Sequence, residues 1–376
     1  MTSKIGLKCY GIKKGRTGVG IALMEGQVFA VYTRNRIKAA PILFNMRNLG
    51  ERVRGIIVNS GNANAFTGEE GIRNAERMAR FLAEKLNCSI SEIAVASTGI
   101  IGRQLDIQEI ERIAEDVFEN LGKDQKCIDA FARAVMTTDR FPKIARREFD
   151  GAEILGIAKG AGMISPDMAT MLAFIFTNAG VENMEEVFRE AVDMSFNRLI
   201  VDGDTSTNDT VFMIASGDVE VDREKFRKEL TSLMVELAEM IAGDGEGSTK
   251  VFRVYVSGAK NDRDAELIAR AVARSSLVKT AIYGEDPNFG RIVCAAGYSG
   301  ADVDEMITIE IKSRKGEVKI IDRGRVLEHA METGKDVMSE KFIEIHIRLE
   351  KGNGRYYVIG CDLTHDYVEL NSRYTT

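Results

Sequence analysis

Histidine is scarce in this sequence: of 376 residues only His329, His346 and His365 carry an imidazole, so acid–base chemistry needs another supplier. No GxSxG elbow supports a Ser-His-Asp hydrolase. The Gly-rich run GDGEGSTK (243–250) has its lysine misplaced for a phosphate cradle. Asp202, Asp204, Ser206 and Asn208 imitate the opening of a calcium loop, but the sixth position is Thr207 rather than Gly and the twelfth is Met213 rather than Glu. Cys361 and His365 are two potential ligands, too few for a metal site. The five cysteines (9, 88, 127, 294, 361) are odd in number and form no CxxC pair, so they are expected to be buried free thiols.

The stretch that offers chemistry is KGAGMISPDMATMLAFIFTNA, residues 159–179. A glycine-bearing loop with Pro166 runs into an apolar strand, and Thr170 stands at the junction. The plain reading is a buried strand whose first hydroxyl is satisfied locally. The chemical reading is that Thr170 becomes a chain terminus. Its hydroxyl attacks the carbonyl of Ala169, the acyl group shifts from nitrogen to oxygen, and hydrolysis frees an α-amine. That amine, with an ordinary pKa of about 7.7–8.0, is then a general base beside the hydroxyl it must activate. The missing histidine is no longer needed.

Such a junction requires a scaffold, and composition permits one. Hydrophobic residues make up 44% and charged ones 29%, values of a globular chain long enough for two or three domains. Fifty-one Lys+Arg against 57 Asp+Glu give a formal charge of −6, the wrong sign for a general nucleic-acid binder. No apolar run approaches the roughly 18 residues of a membrane span, and the basic N-terminus lacks the apolar core of a secretory signal, so a soluble, cytoplasmic protein is expected. Helical spacing predicts helices over about 68–86, 107–121, 182–199, 222–242 and 263–274, with Thr67/Glu70 and Asp106/Glu109 as capping boxes. Strand patterns appear at 56–60, 93–97, 171–179, 210–216 and 251–257, and more densely at 306–313, 316–321, 342–349 and 356–363. Alternation of this kind implies a layered α/β fold with a strand-rich C-terminal part.

KGAGMISPDMATMLAF resembles the self-cleaving signature of the ornithine acetyltransferase (glutamate N-acetyltransferase) family. VNSGNANAFTG (58–68), ASTGIIG (96–102), MTTDRFPK (136–143), VDGDTSTNDT (201–210), GDGEGSTK (243–250), GEDPNFGRI (284–292) and the ending CDLTHDYVELNSRYTT (361–376) also resemble family motifs, in family order. Departures are small: Phe66 where the family often has Cys, and Phe289 where Trp is usual.

The resemblance implies an αββα sandwich, the architecture shared with self-processing aminopeptidases. It implies cleavage between Ala169 and Thr170 into an α segment (1–169) and a β segment (170–376) that co-fold and assemble as a heterotetramer with two copies of each. Thr170 takes the nucleophile's place, and Thr98 and Gly99 that of the oxyanion pair. Substrate-binding positions map to Thr137 (with Thr138 as its rival), Lys159, Thr170, Glu246, Asn371 and Thr376. The implied activity is acetyl transfer from N-acetylornithine to glutamate in arginine biosynthesis, through an acetyl-threonine ester, with acetyl-coenzyme A as a further donor in bifunctional members. No metal or tightly bound cofactor is required. Two other readings stay open: an aminopeptidase of the same fold, which uses Ser where this chain has Thr170, and a non-catalytic amino-acid-binding protein, which predicts no cleavage.

Overall fold

The computed structural model describes residues 4–165, 171–328 and 330–373. They divide into two compact units, one built from 4–197 with 204–241, the other from 198–203 with 242–373. In chain order the first unit begins with β1 (Lys8–Lys14), β2 (Thr17–Tyr32), α1 (Ala40–Asn48), β3 (Arg52–Asn62), α2 (Gly68–Leu86), β4 (Ile93–Ile100), α3 (Ile107–Glu119) and α4 (Gln125–Ala134). β5 (Lys143–Phe149), β6 (Ala152–Lys159), β7 (Leu172–Gly180) and α5 (Met184–Asp193) follow. After β8 (Leu199–Ile200), which belongs to the second unit, come β9 (Thr210–Glu220) and α6 (Arg223–Gly243).

The long strand β2 makes the first unit a sandwich. Its residues 18–23, and after a register shift Gly26 and Gln27, pair with β3, whereas Gln27–Tyr32 pair with β9. A Cβ on Gly26 would lie 2.5 Å from the Ala215 carbonyl oxygen, so that crossing needs glycine. The resulting strand order is β4-β3-β2-β9-β7-β6-β5, with β1 also on β2. The two halves share one core: Val58 and Ala96 from one side cluster with Ile157, Phe174 and Phe212 from the other, and α4 adds Phe131. Phe131 meets Phe174 edge-on at 5.4 Å between centroids. Fully burying such side chains contributes about 1.5–3 kcal/mol each. On the outer faces, α2 and α3 pack Met78, Leu82, Ile110 and Val117 against Ile57 and Val95. Phe188 of α5 meets Phe29, and Phe226 of α6 meets Phe149. The order is helix, sheet, sheet, helix, as the αββα expectation requires.

The second unit continues with β10 (Val251–Ala259), α7 (Asp262–Arg274), α8 (Ser276–Tyr283), α9 (Phe289–Gly297), β11 (Thr308–Ser313), β12 (Gly316–Asp322), β13 (Arg325–Val326), α10 (Ala330–Met338), β14 (Phe342–Arg348), β15 (Gly354–Cys361) and α11 (His365–Arg373). Its sheet runs β13-β12-β11-β14-β10-β15-β8. Val254, Ile309, Ile345 and Val358 from that sheet form one core with Ile268 and Val272 of α7, Ile282 of α8 and Ile292 of α9.

Three sequence expectations need correction. Thr67 does not cap α2 through its side chain; its hydroxyl donates to Asn64 Oδ1 instead. The helix expected over 182–199 ends at Asp193 and gives way to a single 3-10 turn at Phe196–Arg198. Cys294 is exposed, because α9 turns Ile292, Ala295 and Ala296 inward and leaves the intervening position outside, and Cys88 and Cys127 are only half-buried. Cys9 is buried with its thiol pushed up to about 12, and burial also raises Cys361. Neither is poised as a nucleophile. Among the described residues, no helix is long and apolar enough to cross a membrane.

Candidate active site

Strand β4 delivers the first site residues. Asn208 Nδ2 donates to the carbonyls of Ala63 and Ser97, at 2.6 and 2.8 Å, and Ser97 Oγ donates to Asn59 Oδ1. These bonds hold the end of β4 against the NSGNANA segment. There the β3–β4 ladder is irregular around Gly61 and Asn62. Gly99 has φ +133, and a Cβ there would lie 2.3 Å from the carbonyl carbon of Gly61. Only glycine fits this backbone. Gly99→Ala should therefore destabilise the protein by about 2–5 kcal/mol, the combined cost of overpacking and left-handed strain. Urea unfolding measures this, and an unchanged midpoint would contradict the account.

Lys159 is the last residue of β6, and its side chain turns inward with only 4% of the residue exposed. Its Nζ donates to Thr137 Oγ1 at 2.8 Å and to Thr98 Oγ1 at 3.2 Å. Three expected site residues, from β4, from the loop after α4 and from β6, thus converge on one ammonium. An ammonium only donates, so each of these hydroxyls accepts and its own proton must point elsewhere. Among the described residues none accepts from Thr98 Oγ1, although Thr98 is buried.

A carboxylate lies beneath the lysine. Asp139 Oδ2 is 4.0 Å from Lys159 Nζ and accepts the Thr137 N–H at 2.9 Å. Its Oδ1 accepts from Lys143 Nζ and from the Gly160 N–H, both at 2.7 Å. The side chains of Asp139 and Lys143 are wholly buried. Burial alone would raise the Asp139 carboxyl; the ammoniums of Lys159 and Lys143, with the hydrogen bonds from Lys143 and Thr137, overcome it and hold it well below the usual carboxylate range. A carboxyl depressed on folding stabilises the protein above its unfolded value of about 3.9, and that contribution is lost as pH falls through the folded value.

Ala169 and Thr170, the expected cleavage pair, lie outside the described residues, as does Thr376. Among the described residues, the chain that follows the pair is held in β7. Lys159 pairs with Leu172 across β6 and β7, the Met171 N–H donates to Asp209 Oδ1 at 3.1 Å, and the Met171 carbonyl accepts the Thr210 N–H.

In the second unit, Asn371 Nδ2 of α11 donates to Glu246 Oε2 at 2.9 Å. The turn bearing Glu246 is held by its neighbours. Thr364 Oγ1 donates to the Gly247 carbonyl, and Asp362 accepts from the Thr249 and Lys250 N–H groups. Glu246, expected by default at the surface, is half-buried.

The ArgJ family model matches residues 4–376. The chain belongs to the ArgJ family. ArgJ proteins close to it in sequence include the "Arginine biosynthesis bifunctional protein ArgJ" of Archaeoglobus fulgidus, 53% identical over 99% of this chain and 98% of that protein. The "Glutamate N-acetyltransferase" of Methanothermobacter thermautotrophicus is 46% identical over 99% and 96%. Among solved structures, an ArgJ chain from Bacillus halodurans is 36% identical and covers 52% of this chain and 96% of its own, with a TM-score of 0.47. As a member of the ArgJ family, the protein is an acyltransferase of arginine biosynthesis.

Sequence reasoning did not single out Asp139, Lys143, Asn208 or Asp209 as site residues of this ArgJ family member. All four sit in quoted motifs, MTTDRFPK and VDGDTSTNDT. A carboxylate with a lysine four residues on is a usable signal for a pair. That both would be wholly buried is decided by tertiary packing.

Proposed function

We propose that this ArgJ family protein transfers an acetyl group from N-acetylornithine to glutamate by a ping-pong route after cutting its own backbone between Ala169 and Thr170. In the cut, Thr170 Oγ displaces its own peptide nitrogen from the Ala169 carbonyl, which frees the Thr170 α-amine, and water then hydrolyses the ester to release the Ala169 carboxylate and restore the Thr170 hydroxyl. In acetyl transfer, that amine takes the Oγ proton as the oxygen attacks the acetyl carbonyl. The tetrahedral intermediate collapses by breaking the C–N bond. The proton passes from the ammonium to the departing ornithine nitrogen, and acetyl-Thr170 remains. The amine of glutamate attacks this ester, loses its proton to the regenerated base, and departs as N-acetylglutamate with Thr170 Oγ restored. One amide replaces another, so no nucleotide is consumed.

The observation that carries this reading is the Lys159 bridge between Thr98 and Thr137. It orients the Thr98 proton away from the lysine, where it can meet a developing oxyanion together with the Gly99 N–H. Lys159, Thr137, Glu246, Asn371 and Thr376 are assigned to substrate binding; the Glu246 carboxylate suits an ammonium. The two segments, 1–169 and 170–376, would remain associated after cleavage, because β6 and β7 pair along Ile154–Lys159 and belong to different segments. A cytoplasmic heterotetramer with two copies of each segment completes the proposal.

The test is isotope exchange. With glutamate absent, labelled ornithine should enter N-acetylornithine at a rate comparable to turnover, as a free acetyl-enzyme demands. No exchange without glutamate would overturn the ping-pong order. A second donor is a second reading, favoured by the word "bifunctional" in the name of the Archaeoglobus relative. If acetyl-coenzyme A serves as that donor, N-acetylglutamate should form from it and glutamate alone.

A further inference from the structure

Four interactions converge on Asp139, and none of them is needed to close the sheet. Its two oxygens receive the Thr137 N–H, the Gly160 N–H and the Lys143 ammonium, and face the Lys159 ammonium at 4.0 Å. Thr137 is one of the hydroxyl partners of Lys159, and Gly160 is the residue that follows it. One carboxylate therefore fixes the backbone of the lysine's partner Thr137 and of Gly160, the residue after the lysine, and places an opposite charge 4.0 Å from its ammonium. Burying an ammonium without such a partner is costly, and a buried lysine so placed tends to lose its proton or swing toward water.

We propose that Asp139 is a positioning residue of the acetyl-transfer site: it keeps Lys159 charged and aimed at Thr98 and Thr137, and so frees the Thr98 proton to face the reacting oxygen. This rests on the assignment of Thr98 to the oxyanion. A neutral lysine would offer a lone pair, and Thr98 would then turn its proton back toward Lys159. The oxyanion would lose a donor that has to be in place before the reaction begins. A purely structural ion pair, by contrast, would affect folding without changing how the rate depends on pH.

The groups that face this lysine decide the sign. Asp139 is an opposite charge 4.0 Å from it; Lys143 of β5 is a like charge on the same carboxylate. Lys13 of β1, which feels the same carboxylate, donates to the Met136 carbonyl; burial lowers its titration, and Asp139 only partly opposes that. Replacing Asp139 removes that opposite charge and leaves the Lys143 ammonium that shared it, which lowers the pH at which Lys159 gives up its proton. Activity that needs the charged lysine is then lost as pH rises through that lower value.

The experiment compares wild type with Asp139→Asn and with Asp139→Asn/Lys143→Met, in which the stranded second cation is also removed. Each is checked for folding by circular dichroism and for cleavage by mass spectrometry. In either folded variant, kcat near pH 8 should fall about tenfold or more, with KM for N-acetylornithine changing less, as for loss of a supporting interaction around a reacting group. The high-pH edge of kcat should move down by about one unit or more, the size of shift that loss of an adjacent opposite charge gives. A folded, cleaved variant with wild-type kcat and an unmoved edge overturns the proposal.

Should neither variant fold, the wild-type protein still answers. With ¹⁵N-labelled lysine, the Nζ signal that disappears in Lys159→Met should be a slowly exchanging ammonium at pH 8. A rapidly exchanging or neutral amine there overturns the role. Failure of the underlying reading is recognised separately, by absence of ornithine exchange in the wild type.

Discussion

Thr170→Ala is expected to leave one uncut chain of 376 residues and to abolish acetyl exchange. The substitution removes the oxygen that attacks the Ala169 carbonyl, so no α-amine is released; it also removes the oxygen that carries the acetyl group. Losing both roles leaves only binding and the oxyanion donors, and loss of a nucleophile from such a machinery costs a factor on the order of 10⁵–10⁶ in kcat. Thr170→Ser should retain cleavage and a reduced exchange rate, because a primary hydroxyl performs both steps. Denaturing mass spectrometry and ornithine exchange report the two roles independently. An uncut Thr170→Ala chain with wild-type exchange would assign the acetyl carrier to another residue.

Thr98→Val carries the second largest expected effect. Valine keeps the shape of threonine on β4, where Thr98 is 6% exposed, and removes only the hydroxyl. The Thr137 hydroxyl and the Asp139 carboxylate remain to hold Lys159, so the chain should fold and cleave. What disappears is a donor already aimed at the reacting oxygen, and removing one such donor lowers kcat about 10²–10³-fold. KM should change little, since a ground-state carbonyl gains less from that bond than the oxyanion does. Steady-state kinetics decide this. A Thr98→Val enzyme that loses affinity for N-acetylornithine at unchanged kcat would move Thr98 from transition-state stabilisation to substrate binding.

The sequence made the long amphipathic helices legible because their apolar positions recur every three or four residues: α2 spans Gly68–Leu86 as expected, and α7 begins within one residue of expectation. β2 escaped notice for a physical reason. Glu25, Gly26 and Gln27 interrupt its pattern where the strand crosses from one sheet half to the other, and glycine is there for the close approach to Ala215. β5 and β6 were missed as well, although they carry Lys143 and Lys159. A lysine in a strand reads as a solvated position, and only the fold supplies the buried carboxylate that changes its meaning. The Thr98–Lys159–Thr137 contact joins residues 22 and 61 positions apart, a distance at which spacing carries no information. The motifs named its members, and the sandwich, which sets β4 across the shared core from β6, brought them together.

The central claim is that Thr170, freed by cleavage, carries the acetyl group as an ester, and one measurement addresses it directly. Wild-type enzyme is mixed with N-acetylornithine in the absence of glutamate, quenched in acid, and analysed by denaturing mass spectrometry with sequencing of the modified fragment. The predicted result is a fragment of residues 170–376 heavier by one acetyl group, with the group on Thr170 and released on addition of glutamate before the quench. An active enzyme whose only N-terminus is Met1, or whose acetyl group sits on any other residue, would contradict it.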